Sequence, residues 1–134
     1  MASKSKDEAC FFDGRARLFP CVQHADNRGK LMPFSFDELP FIPSRCFTIS
    51  DVPVGEVRGQ HGHLSGKQML VCLQGSIAVL MRYQTEEVKL ILNSLSPAVI
   101  FDAGVWCQQT YLDEKSVLLV FASEAYNPDS YVAS

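Results

Sequence analysis

His61 and His63 are separated by a single glycine, Gly62. Successive side chains of an extended strand point to opposite faces, so the two imidazoles would share one face with almost no side chain between them. Imidazole is the side chain that exchanges a proton nearest neutral pH, which suits two kinds of chemistry. Neutral histidines are good ligands for Zn, Fe, Ni or Cu. Histidines beside a carbon acid can instead remove and return a proton, which is the work of an isomerase or epimerase.

Other residues bear on that choice. Gln68 offers a neutral amide, which does not compensate the charge of a divalent ion, and Cys107 would serve as a ligand only as a correctly aimed thiolate. Trp106 follows the turn Phe101-Asp102-Ala103-Gly104-Val105 and reads either as a core aromatic or as a stacking platform for a sugar or base.

The elements that must position these groups are short. Apolar stretches of strand length recur at Ala16–Gln23, Lys30–Phe36, Arg45–Ser50, Gln68–Leu73, Ser76–Tyr83, Val88–Asn93, Ala98–Phe101, Val105–Leu112 and Ser116–Ala122. Turn formers punctuate them: Asp26-Asn27-Arg28-Gly29, Pro40, Pro43, Pro53-Val54-Gly55, Ser65-Gly66, Gln74-Gly75, Ser96-Pro97 and Ala103-Gly104. No stretch keeps helical spacing, apart from a short helical turn expected near Glu124–Tyr126. Many short strands in one small chain predict an antiparallel barrel or jelly roll, which shields strand edges.

The chain has 134 residues, 47% of them hydrophobic, enough for one core. Residues 1–10 read as a flexible polar leader and 11–134 as a single domain. A formal charge of -3 argues against a surface that tracks nucleic acid, so an anionic ligand would be met by a few local cations. The five cysteines are scattered, with no C-x-x-C spacing, and their odd number points to a reducing, cytoplasmic setting. No apolar run approaches the ~18 residues of a membrane span, and the first residues do not resemble a secretion signal.

The stretch from Gly55 to Gly75, with His61, His63 and Gln68 between, has the spacing of the first cupin motif. Arg45-Cys46-Phe47-Thr48-Ile49, Arg58-Gly59-Gln60-His61-Gly62-His63, Val71-Cys72-Leu73-Gln74-Gly75-Ser76, Ser96-Pro97-Ala98-Val99, Val105-Trp106 and Ala122-Ser123-Glu124-Ala125-Tyr126 follow in order, after an early Asn27-Arg28-Gly29-Lys30-Leu31. Over roughly residues 20–132 the chain resembles the WxcM-like nucleotide-sugar 3,4-ketoisomerases, cupins that act on dTDP-4-keto-6-deoxy-D-glucose. The resemblance implies an all-β, RmlC-like cupin jelly-roll barrel, mostly antiparallel, with neither metal nor cofactor. It implies a homodimer with exchanged N-terminal strands and a dTDP-linked keto-sugar substrate whose ketone moves from C4 to C3.

Carried over by position, His61 and His63 become the acid/base pair. Gln68 is either a donor to the developing enolate or a structural hydrogen bond. Arg58, Arg45 and Arg28 are candidate diphosphate ligands, because guanidinium presents paired donors to phosphate oxygens, and Trp106 is a candidate substrate contact. The chain departs from the family at Leu64, where a Lys is usual, at Phe47-Thr48, where aromatic hydroxyls are usual, and at Cys107, where a His often stands. Its tail from Tyr126 to Val132 has fewer acidic residues than the family's ending and stops short of it. Two other readings remain open. One is a metal-dependent, dioxygenase-like cupin using His61, His63, Gln68 and Cys107; the other is a non-catalytic nucleotide-sugar-binding cupin.

Overall fold

The computed structural model describes residues 10–132. The expected leader therefore lies outside the described residues except for Cys10, which opens the first strand, β1 (Cys10–Phe11). The strands that follow are β2 (Ala16–Phe19), β3 (His24–Asp26), β4 (Gly29–Leu31), β5 (Arg45–Ile49), β6 (Val57–His63) and β7 (Lys67–Gln74). Then come β8 (Ser76–Tyr83), β9 (Glu86–Asn93), β10 (Ala98–Asp102), β11 (Trp106–Tyr111), β12 (Val117–Ala122) and β13 (Tyr131–Val132).

They form a six-stranded sheet in the order β1-β2-β10-β7-β12-β5 and a five-stranded sheet in the order β13-β6-β11-β8-β9, with β3 and β4 paired as a separate hairpin. Every pairing is antiparallel. Neighbours in the sheets are seldom neighbours in sequence, which is the jelly-roll solution to shielding edges.

The main core lies between the sheets, where Leu70, Ile77, Val79, Met81, Val99, Tyr111 and Leu118 are buried. A second cluster covers the outer face of the six-stranded sheet. There Met69, Val71, Ile100 and Phe121 pack against Met32, Phe34, Leu39 and Phe41 from the segment after β4. Strand β7 is thus covered on both faces, and this is why Met69 to Cys72 reads as an unbroken apolar run rather than an alternating one.

That second layer alters one expected element. Of the stretch Lys30–Phe36, only Lys30 and Leu31 are in a strand. Pro33 has no N–H to give a ladder, and the residues beyond it serve as a cover, with Phe34 and Phe121 ring centroids 5.1 Å apart. The helical turn expected near Glu124–Tyr126 falls instead at Pro128–Ser130 as one turn of 3₁₀ helix. Asn127 caps it, its side chain accepting from the Asp129 N–H at 3.0 Å, and Pro128 occupies the position that tolerates a missing donor.

Candidate active site

Strand β6 carries the two histidines, and it is not a regular strand. Cys107 on β11 pairs with His61, but Gln109, two residues on, pairs with Arg58, three residues back. The extra residue is a bulge at Gly59 and Gln60, whose φ values of 91° and 43° are left-handed. A Cβ at position 59 would lie 2.9 Å from the Gln109 amide nitrogen, so glycine is required by space as well as by torsion. Plain alternation would put Arg58 and His61 on opposite faces. The bulge turns both to the face shared by Cys107 and Gln109, which looks into the barrel.

The imidazole rings meet edge to face, with centroids 5.1 Å apart at 79°. His61 Nδ1 hydrogen-bonds the Gly59 carbonyl. A carbonyl only accepts, so Nδ1 carries the proton and the lone pair of the neutral ring is on Nε2. For His63 the arrangement is reversed. The Gln68 amide nitrogen donates to His63 Nε2 at 3.1 Å, so that ring is protonated on Nδ1. A carboxylate at position 68 would attract a second proton to His63, whereas the amide does not.

Burial, assisted by the charges of His61 and Arg45, lowers the His63 pKa to about 4, against a smaller opposing effect of Glu124. His63 is therefore neutral at physiological pH. This carries a consequence for stability. An unfolded chain takes up the His63 proton near its ordinary value of 6.5, and the folded chain only near 4. The unfolded state binds more protons between these values, so stability is full above about pH 6.5 and declines as pH falls toward 4. Urea unfolding followed from pH 7.5 to 4.5 is expected to show that decline, and His63→Gln to flatten it; equal slopes for the two proteins would refute the assignment.

A cavity of ≈ 200 Å³ opens beside His61, with Arg58, Gln68, Gln109, Tyr131 and Phe47 also on its walls. Arg45, His63, Gln68 and Tyr131 line a smaller space of ≈ 20 Å³. Arg45 stacks over Phe47 at 4.8 Å, donates to the Glu124 carbonyl at 3.3 Å, and reaches toward the Tyr131 hydroxyl at 3.5 Å. Among the described residues neither Arg45 nor Arg58 is in an ion pair. Both are therefore cations at the site with no ion-paired carboxylate among the described residues, although Glu124 lines the smaller space beside Arg45.

Five of the seven residues singled out from the sequence thus converge: His61, His63, Gln68, Arg45 and Arg58. Two do not. Arg28 lies on the exposed β3–β4 hairpin, its side chain 86% exposed and paired with Asp26 at 2.8 Å. Trp106 faces outward, because its neighbour Cys107 points inward opposite His61 and alternation leaves it no other choice. Its ring lies under the Arg82 guanidinium at 4.5 Å, and its indole N–H is buried with no acceptor.

Two residues of the site were not anticipated. Gln109 is a buried polar side chain on the cavity wall, and its position i+2 from Cys107 was the available signal. Tyr131 enters from the end of the chain: β13 pairs with β6, Tyr131 opposite His63. Nothing local in the sequence marks it, since the contact depends on the chain returning from β12 to the edge of the other sheet.

The donor set for a metal is poor. Burial pushes the Cys107 thiol up to about 12, so it stays protonated at neutral pH, and Gln68 contributes no charge. Among the described residues no group of three or more His, Cys, Asp or Glu side chains could hold a metal ion.

The chain resembles known proteins over most of its length. The family model described as FdtA: WxcM-like, C-terminal, matches residues 15–134. A TDP-4-oxo-6-deoxy-alpha-D-glucose-3,4-oxoisomerase from Aneurinibacillus thermoaerophilus is 30% identical over 108 residues, spanning 80% of this chain and 78% of that protein. A variant of the 3,4-ketoisomerase QdtA from Thermoanaerobacterium thermosaccharolyticum, solved with TDP-4-keto-6-deoxyglucose, has a TM-score of 0.84 and 30% identity, covering 90% of this chain and 88% of that one. At 14% identity, dTDP-4-dehydrorhamnose 3,5-epimerase from Bacillus anthracis shares only the fold, with a TM-score of 0.79 over 90% of this chain and 79% of that one. The architecture is the RmlC-like cupin jelly roll.

Proposed function

The chain belongs to the WxcM-like, C-terminal family, and on that premise we propose that it is a nucleotide-sugar 3,4-ketoisomerase acting on a dTDP-linked 4-keto-6-deoxyhexose. The observation that carries the reading is the His61 ring, fixed by the Gly59 carbonyl so that its Nε2 lone pair is free, on the wall of a cavity that Arg58 also lines.

The ketone at C4 acidifies the hydrogen on C3. His61 Nε2 removes that proton, the C3–H electrons form the C3=C4 double bond, and O4 takes up a proton to give an enediol. The proton on the His61 imidazolium exchanges with solvent while the enediol is held, and His61 then delivers a solvent-derived proton to C4 while O3 loses its own and becomes the new carbonyl. Protons balance, and no external oxidant is needed. His63, the other member of the acid/base pair, gives its Nδ1 proton to O4 and takes one back on Nδ1 from O3, so that its ring ends the reaction as it began it. Its neutrality also spares the imidazolium forming on His61, 5.1 Å away, from a like charge. Gln68 stabilises this state by donating to His63, and Arg58 and Arg45 supply charge for the diphosphate.

A proton NMR time course in heavy water with dTDP-4-keto-6-deoxyglucose tests the reading. The expected result is loss of the C3 proton signal and growth of a 3-keto product carrying deuterium at C4. Unchanged substrate, with tight binding by calorimetry, would identify a binding protein instead.

The chain is read further as a homodimer with exchanged N-terminal strands. In support, the β3–β4 hairpin pairs with no other strand of its own sheets and all six of its residues are exposed, so Arg28 is available to a second copy. Light scattering giving the mass of a single 14.9 kDa chain would overturn this. A cytoplasmic location is supported by five free cysteines, and among the described residues no helix is long and apolar enough to cross a membrane.

A further inference from the structure

A base must be aimed as well as unprotonated. The hydrogen bond from Nδ1 to Gly59 restrains His61 at one point of the ring and leaves rotation about that contact open. The Tyr131 ring lies flat against the imidazole, with centroids 4.4 Å apart and planes 18° from parallel. It stands edge-on to His63 at 4.7 Å and 77°, so one aromatic ring touches both members of the pair.

The support for Tyr131 is built from several elements. Its Cα is opposite that of His63 in the β13–β6 ladder, which puts both side chains on one face. The Leu64 N–H bonds the Ser130 carbonyl at 2.7 Å, pinning the start of β13 to the end of β6. The capped turn at Pro128–Ser130 sets the direction of entry. Tyr126 packs at 80° to Tyr131 with centroids 5.8 Å apart, and Arg45 is 3.5 Å from its hydroxyl.

We propose that Tyr131 is a positioning residue for the isomerisation: its ring, delivered by the C-terminal strand, clamps the plane of His61 and holds Nε2 toward the substrate cavity. The inference rests on the isomerase reading and adds a residue to it. The face of the ring does the work, so the hydroxyl is dispensable. Small misplacements of a reacting group are costly, with losses on the order of 10²-fold for about 1 Å.

The test compares Tyr131→Leu, Tyr131→Met and Tyr131→Phe by steady-state kinetics and by the proton NMR signals of the His61 ring. The Leu and Met variants are expected to lose on the order of 10- to 100-fold in kcat, with much smaller changes in KM, and Tyr131→Phe to restore most of it. An aromatic ring stacked on an imidazole shifts the imidazole protons upfield, so that shift should be present in wild type and Tyr131→Phe and absent from the other two. Folded Leu and Met variants with wild-type kcat would overturn the proposal, as would a wild-type His61 with no upfield shift. A wild-type protein with no turnover would sink the isomerase reading, while the His61 signals would still decide whether the clamp exists.

Discussion

His61→Asn is expected to lower turnover by on the order of 10²–10⁴-fold, the contribution of a well-placed general base. Solvent deuterium should no longer enter the sugar. Asparagine is smaller than histidine, keeps a polar group that can satisfy the Gly59 carbonyl, and has no lone pair basic enough to accept a carbon-bound proton. The substitution therefore removes the base and leaves the walls of the cavity in place. Nucleotide binding should survive, because Arg45 is held by Phe47 and the Glu124 carbonyl rather than by the His61 ring, and Arg58 keeps its place on the cavity wall. The two effects can be separated by calorimetry with dTDP and NMR exchange on the same sample. Retained exchange in His61→Asn would move the base to His63, and loss of dTDP binding would mean that the ring is structural.

Arg58→Met should show the opposite division. Arg58 lines the cavity, is exposed at its opening, and lacks an ion-pair partner among the described residues. A hydrogen bond to a charged group contributes roughly 1.5–3 kcal/mol, so its loss should weaken dTDP binding by about 10- to 100-fold at about 1.4 kcal/mol per tenfold. The interaction with diphosphate is much the same in the substrate complex and the transition state, so the loss should fall on KM more than on kcat. Arg58→Lys should recover part of the affinity, because ammonium keeps the charge but not the paired planar donors. If Arg58→Met binds dTDP as wild type does, the diphosphate lies elsewhere, and Arg45 becomes the first alternative.

Much of the site was legible because its logic is local. His61-Gly62-His63 faces one way in any strand, and Gln68 lies just across a short turn from His63, so the pair and its donor could be read by spacing. Cation chemistry marked Arg45 and Arg58. What spacing could not supply was the face of Arg58, which three residues of plain alternation would have turned away from His61, or the side of β11 from which Trp106 projects. Arg28 is a candidate diphosphate ligand by chemistry, but in the fold it lies on the exposed hairpin and pairs with Asp26, because a turn residue has no address until its hairpin does. The stretch Lys30–Phe36 was apolar enough for a strand. It became a cover for Phe121 because the open outer face of the six-stranded sheet needed one and Pro33 barred a ladder.

By itself, then, the sequence determined the class of fold, the strand-and-turn rhythm, the paired imidazoles and the family, all of which follow from periodicity and short-range motif. Tertiary structure alone decided the bulge at Gly59-Gln60, the neutral state of His63 and the seating of Tyr131 on His61. Each of these is fixed by a partner distant in sequence: Gln109 across the ladder, the barrel wall that desolvates His63, and the last strand returning to the edge of β6. Side-chain alternation has a period of two and no memory beyond its own strand. Register, burial and edge pairing are set only when the sheets close on one another.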